Sequence, residues 1–178
     1  MRLPYFDFFE PSTLEEVFTI LEQYGEQVRL LAGGTDMIPL IRFGLLQPSQ
    51  LVSLKNLREL KGVKRQGQAL HIGAMTTLSE LAGSPTIQQD SPVLHEAVLA
   101  VAAPPIRNVA TIGGNVFQNS RCLFYNQSPV WRLERQPCLK AGGKLCLAVP
   151  GGKKCFSVYQ GDVAPALIAA GAKVRIEE

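Results

Sequence analysis

Thr111-Ile112-Gly113-Gly114-Asn115 lies past the middle of this chain and echoes Ala32-Gly33-Gly34-Thr35-Asp36 near its start. Each follows an apolar run that reads as a strand: Val28-Arg29-Leu30-Leu31-Ala32, largely buried, in the first case and Arg107-Asn108-Val109-Ala110-Thr111-Ile112 in the second. After the first turn, Met37-Ile38-Pro39-Leu40-Ile41 reads as a helix with Pro39 in its first turn. Glycine accepts positive φ, aims successive amides at one spot and lets an anion approach with no Cβ in the way. A helix starting just beyond adds its positive end. One such turn is commonplace, but two from separate lobes can hold a pyrophosphate from both sides. Neither Gly-x-Gly-x-x-Gly nor Gly-Lys-Ser/Thr occurs, so this is neither a dinucleotide fingerprint nor a Walker loop.

Around these turns the chain alternates short helices and strands. Ser12-Thr13-Leu14-Glu15 fits a capping box with Ser12 and Glu15 as partners, ahead of a helix that Gly25 ends. A strand at Leu51-Val52-Ser53-Leu54 completes a small α/β lobe ending near residue 58. Ala69–Ala74 has strand character, Thr77 caps a short helix through Leu81, and Ser91-Pro92 opens a helix through Val101 that Ala103-Pro104-Pro105 ends. Gly161-Asp162-Val163-Ala164-Pro165 reads as another helix start, with a strand at Ala172-Lys173-Val174-Arg175-Ile176 after it. His71 and His95 fall inside regular elements, and both read as structural.

A chain of 178 residues buries about 70% of its unfolded surface, enough for one substantial domain or two lobes. No apolar run approaches the ~20 residues of a membrane helix, and the N-terminus lacks the apolar core of a signal peptide. A cytoplasmic, non-membrane protein is expected. The net charge of +3 is unevenly distributed: residues 120–160 carry seven basic side chains and one acidic, a net of +6, leaving −3 for the rest. No known binding motif or run of stacking aromatics accompanies this charge, which argues against nucleic acid. A solvated basic loop or compensation for an anionic thiolate group remain as its readings. The same segment holds every cysteine of the chain, Cys122, Cys138, Cys146 and Cys155, separated by 15, 7 and 8 residues. This is not the spacing of a zinc ribbon or a bacterial ferredoxin. Spacing leaves open a metal site, buried thiols or two disulfides; a cytoplasmic setting disfavours disulfides. Crowding of all four into one segment favours a shared ligand role.

The two glycine motifs, together with Arg107-Asn108-Val109-Ala110 and Gly161-Asp162-Val163-Ala164-Pro165-Ala166-Leu167, resemble the FAD-binding (medium) subunits of the molybdenum hydroxylase family, which includes xanthine dehydrogenase and carbon monoxide dehydrogenase. The resemblance implies an α+β fold: a two-lobed FAD-binding domain of the vanillyl-alcohol oxidase / molybdopterin dehydrogenase type. Its small α/β lobe would span 1–58 and its second, mixed lobe 59–178, with an irregular insert at about 119–160. Cofactor contacts are implied for Leu31, Ala32, Gly33, Gly34, Thr35 and Asp36, for Val101, and for Thr111, Ile112, Gly113, Gly114 and Asn115. Asp162 would lie on the flavin side. Family members continue well past the length of this chain, which therefore resembles a shortened member with its second lobe incomplete.

In most of the family the second motif runs almost directly into the aspartate helix, whereas about 40 residues intervene here. An insert with four cysteines at this place is similar to that of the flavoprotein subunit of 4-hydroxybenzoyl-CoA reductase. That resemblance implies a 4Fe–4S cluster on Cys122, Cys138, Cys146 and Cys155. The implied role is an electron-transfer subunit with no catalytic residue of its own. It would work with a molybdopterin-containing large subunit, a 2Fe–2S small subunit and an external donor or acceptor such as ferredoxin or NAD(P). A nucleotide-binding or assembly module with structural zinc on the cysteines, and no redox role, is the alternative.

Overall fold

Residues 3–176 are described by the structure, a computed structural model; the outermost ends of the two expected lobes, at residues 1–2 and 177–178, lie outside them. The first lobe is built on β1 (Asp7–Phe9), α1 (Leu14–Tyr24), β2 (Val28–Leu31), α2 (Met37–Arg42) and β3 (Gln50–Ser53). The strands are all parallel in the order β1-β3-β2, with Asp7 and Val28 both level with Gln50. β3 is central and every one of its residues is buried, as expected of a parallel strand covered on both faces. β2 lies at the edge, and this overturns the expectation of a largely buried strand: Val28 is buried but Arg29 and Leu30 are exposed. β1 was not legible as a strand. Val17, Val28, Val52 and Leu57 form the core of this lobe, with Phe9 and Tyr24 packed against it at 5.6 Å between ring centroids.

The cap of α1 sits one residue later than its sequence suggests. Thr13, not Ser12, adopts the extended N-cap conformation and accepts from the Glu16 amide, while Ser12 N donates to Glu16 Oε2 at 2.6 Å. Starting the helix at Leu14 puts Val17 into the core, and that burial outweighs the choice between two similar hydroxyl caps.

The second lobe begins with a hairpin of β4 (Val63–Gln66) and β5 (Ala69–Ile72), antiparallel, turning at Gly67 with φ 61°. Helices α3 (Leu78–Ala82), α4 (Pro85–Asp90) and α5 (Pro92–Ala100) follow. Leu78, Leu81, Ile87, Leu94 and Val98 meet Ala110, Ile112 and Val163 in its core. Thr77 forms a full capping box with Glu80. Thr77→Ala should cost about 1 kcal/mol, read as a lowered midpoint in urea unfolding. His95 Nε2 lies 3.0 Å from Ala82 O, a structural tie between α3 and α5.

Four readings are revised in this lobe. Ser91 precedes α5 as read, but its hydroxyl makes no cap bond. Ala103-Pro104-Pro105 opens a further short helix, α6 (Pro104–Arg107), because prolines fit a first turn whose amides have no partner anyway. Residues 107–112 are not a strand: apart from one bridge between Thr77 and Thr111 they turn directly into α7 (Ile112–Val116). The insert contains α8 (Pro129–Leu133), and α9 (Ala164–Ala169) packs on α5. Residues 172–176 belong to no ladder among the described residues, so the strand expected there is not formed. No helix among the described residues is long and apolar enough to cross a membrane.

Candidate functional site

Leu31 ends β2, and the chain leaves the carboxyl edge of the parallel sheet through Ala32–Asp36, the usual place for a ligand in such sheets. Gly34 has φ 75°, and Ile38 N closes onto its carbonyl at 3.0 Å. The amides of Gly33, Gly34 and Thr35 donate to no acceptor among the described residues. Three successive amides without an internal acceptor, half-buried beside the start of α2, make a concavity suited to an anion.

The second glycine turn faces the first but is differently built. Ile112 N donates to Thr76 O, Gly113 N to Ala74 O, Gly114 N to Thr111 Oγ1 and Asn115 N to Thr111 O. Its amides are thus engaged within the protein, and the expectation of a second amide nest is not met. Gly113 serves close approach instead, since a Cβ there would stand 2.7 Å from Ala74 O; in the first turn a Cβ on Gly33 would stand 2.1 Å from Val109 O. Backbone from the two lobes therefore touches at the glycine motifs.

What the second turn projects is Asn115. Its amide nitrogen donates to Asp162 Oδ2 at 3.0 Å and its oxygen accepts from Val163 N at 3.1 Å. One side chain ties the second motif to the aspartate across the whole insert. Tyr159 donates to Val116 O at 2.8 Å, and its hydroxyl pKa is raised by burial and then by the charge of Asp162. Val101 is placed differently from the other candidates: its side chain is buried in the core, and its carbonyl accepts from Arg107 Nη1 at 2.7 Å.

The insert leaves and returns at one point. Arg121 and Val158 exchange backbone hydrogen bonds of 2.8 and 2.9 Å, Ser120 and Ser157 hydroxyls are 2.7 Å apart, and Gln118 Nε2 donates to Gln160 O. Beyond this stalk all four cysteines, free thiols, line one cavity of about 10 Å³ together with Phe124, Tyr125 and Lys140. Among the described residues no group of three or more His, Cys, Asp or Glu is placed to hold a metal ion. The four thiols thus share the wall of one small cavity. The Cys155 thiol is lowered below its usual range, first by the Ser157 hydroxyl at 3.2 Å, then by the Ser157 amide and more weakly by the charge of Lys140.

Three of the seven bases are engaged elsewhere. Arg121 pairs with Asp36 at 2.6 Å, Arg132 donates to Gly44 O, and Arg135 stacks on Trp131 at 3.8 Å, while Lys140 lines the cysteine cavity. A second, open cleft of about 720 Å³ runs between α2 and the insert, lined by Thr35, Asp36, Leu40, Phe43, Arg121 and Phe124 among others. Cys122, Phe124 and Ala148 line both spaces. Sequence reasoning counted Arg121 and Arg132 only as charge; no local signal marks either as a contact to the first lobe.

A family model described as the FAD binding domain in molybdopterin dehydrogenase matches residues 4–178. The chain belongs to this family. It is 36% identical over 113 residues to the carbon monoxide dehydrogenase medium chain of Hydrogenophaga pseudoflava, covering 64% of this chain and 39% of that one. It is 36% identical over 116 residues to the nicotinate dehydrogenase FAD-subunit of Eubacterium barkeri, covering 65% and 39%. Among solved structures, carbon monoxide dehydrogenase from Hydrogenophaga pseudoflava superposes with a TM-score of 0.64, at 36% identity over 65% of this chain and 40% of that chain. Quinoline 2-oxidoreductase from Pseudomonas putida 86 has a TM-score of 0.63 at 34% identity, with the same coverage. The chain thus spans about two fifths of the length of these relatives. The mixed α/β FAD-binding fold implied by the resemblance is the fold of this family.

Proposed function

We propose that this chain forms the FAD-binding part of an electron-transferring flavoprotein subunit in a molybdenum-dependent oxidoreductase. FAD would bind between the lobes divided near residue 58. Its pyrophosphate would rest on the amides of Gly33, Gly34 and Thr35 and against residues 111–115, and its flavin end would lie toward Asp162. The observation that carries this reading is the row of amides lacking internal acceptors, set opposite a turn whose Asn115 holds Asp162. The group supplies redox chemistry when bound; the residues here bind it, orient it and hold it between lobes. In the finer form of the proposal the insert resembles that of 4-hydroxybenzoyl-CoA reductase. Cys122, Cys138, Cys146 and Cys155 would then hold a 4Fe–4S cluster, a reading supported by their convergence on one cavity with Lys140 beside it. Relatives named as medium chains and FAD-subunits support assembly with a molybdopterin large subunit and a 2Fe–2S small subunit. Ferredoxin or NAD(P) is the proposed external partner, and substrate chemistry would belong to another subunit.

Anaerobic purification of the full chain, with a visible spectrum, FAD titration and metal analysis, tests this. A yellow-brown protein that binds FAD and contains iron and sulfide in equal amounts is expected. A colourless protein that takes up no FAD defeats the flavin reading. Zinc without iron defeats the cluster and favours a structural metal site.

A further inference from the structure

The cysteine insert arises from the second lobe, yet it also holds side-chain contacts to the first. They fall at the two ends of α2. At the start, Arg121 Nη2 meets Asp36 Oδ1 at 2.6 Å, and Asp36 is the N-cap residue of α2 and the last residue of the glycine turn. Asp36 makes no side-chain cap bond, so its carboxylate is turned to the insert and not to its own helix. At the other end, Arg132 Nη2 donates to Gly44 O at 2.8 Å, and Pro129 lies so close that a Cβ on Gly44 would stand 2.9 Å from its Cγ. A lone half-exposed ion pair holds little. Two attachments eight positions apart, on one short helix, fix that helix as a body.

The same peptide is tied to the cysteines. Arg121 precedes Cys122, its backbone is locked to Val158, and Ser157, two residues past Cys155, approaches both Ser120 and the Cys155 sulfur. Cys122 and Phe124 form the wall shared by the cysteine cavity and the open cleft. Whatever draws the four thiols together therefore tightens the stalk that carries Arg121.

We propose that Arg121 is a positioning residue for the FAD loop, and that the insert is a latch across the cleft which links FAD retention to occupancy of the four-cysteine cavity. This rests on the flavin and cluster readings above. By linkage, a centre that stabilises the latched insert tightens FAD binding, and FAD tightens the centre by the same factor.

The test uses the full chain, anaerobically, in two states: reconstituted with ferrous iron and sulfide, or stripped with chelator. FAD affinity is measured by flavin fluorescence, and hydrogen exchange is followed at the Ile38, Leu40 and Phe43 amides, which are all bonded within or beside α2. The loaded wild type should bind FAD at least about fivefold tighter than the stripped protein, with slower exchange at these amides. Arg121→Gln and Arg132→Gln should keep their iron and an unchanged circular dichroism spectrum, yet bind FAD equally in both states and exchange faster in α2. Equal FAD affinity of loaded and stripped wild type overturns the latch alone, as does an Arg121→Gln protein that keeps the difference. No FAD binding in either state overturns the flavin reading and the latch with it. Failure to take up iron and sulfide overturns the cluster reading and the link to it.

Discussion

Gly33→Ala should strip the protein of FAD and lower its stability together. The added Cβ would lie 2.1 Å from Val109 O, 2.9 Å from Val109 C and 3.0 Å from Ala110 Cα, all of them backbone atoms of the facing lobe. No rotamer change relieves such a contact, so the lobes must part at the point where FAD is proposed to lie. Overpacking of this kind costs about 1–3 kcal/mol or more. If the same separation is felt by the bound cofactor, FAD affinity should fall at least about tenfold, since 1.4 kcal/mol corresponds to a factor of ten. The informative control is Gly34→Ala. Gly34 has φ 75°, which costs a side chain about 1–2 kcal/mol, but its added Cβ would meet only Ile38 and Leu31 side-chain ends at 3.2 Å. Gly34→Ala should therefore lose stability without forcing the lobes apart. A Gly33→Ala protein that melts and binds FAD like the wild type would remove the glycine contact from the account of the site.

Asn115→Leu should be the most damaging polar change. The leucine has similar bulk but leaves Val163 N, on a fully buried residue, without its acceptor, and releases Asp162 Oδ2. An unsatisfied buried amide costs about 1–3 kcal/mol, while the Asp162 bond is exposed and adds less. Urea unfolding should show the loss, and FAD titration should show weaker binding even at temperatures where the variant is folded, because Asp162 is no longer held beside the second motif. Stability equal to that of the wild type would mean that the Asn115 bridge is incidental.

Short-range chemistry was well written in the chain. Gly25 ends α1, Thr77 caps α3 and Pro92 opens α5 because each acts within a turn of its own position. The glycine motifs were legible as a facing pair, but the different use of their amides was not: Ile112 and Gly113 donate to residues 74–76, a contact that no local pattern announces. The same partners replace the ladder that a strand at 107–112 would have needed. β4 escaped reading because Lys64-Arg65-Gln66 has no apolar alternation, and it is a strand through its pairing with β5. Arg121 and Asp36 are 85 positions apart, so their pairing depends on how both lobes fold. Grouping of the cysteines suggested a common role, whereas their convergence depends on a stalk closed by Arg121 and Val158.

That stalk also bears on how such a chain tolerates so long an interruption. Lengthening a flexible connection from about five to about forty residues adds only about 2 kcal/mol of closure entropy. A pair of backbone bonds at the neck and the Ser120–Ser157 contact are of the size needed to offset it. Because the neck returns the chain to the place it left, Asn115 still reaches Asp162 as though nothing lay between them. The scaffold can thus carry a peptide of this length while the contact between Asn115 and Asp162 keeps its geometry.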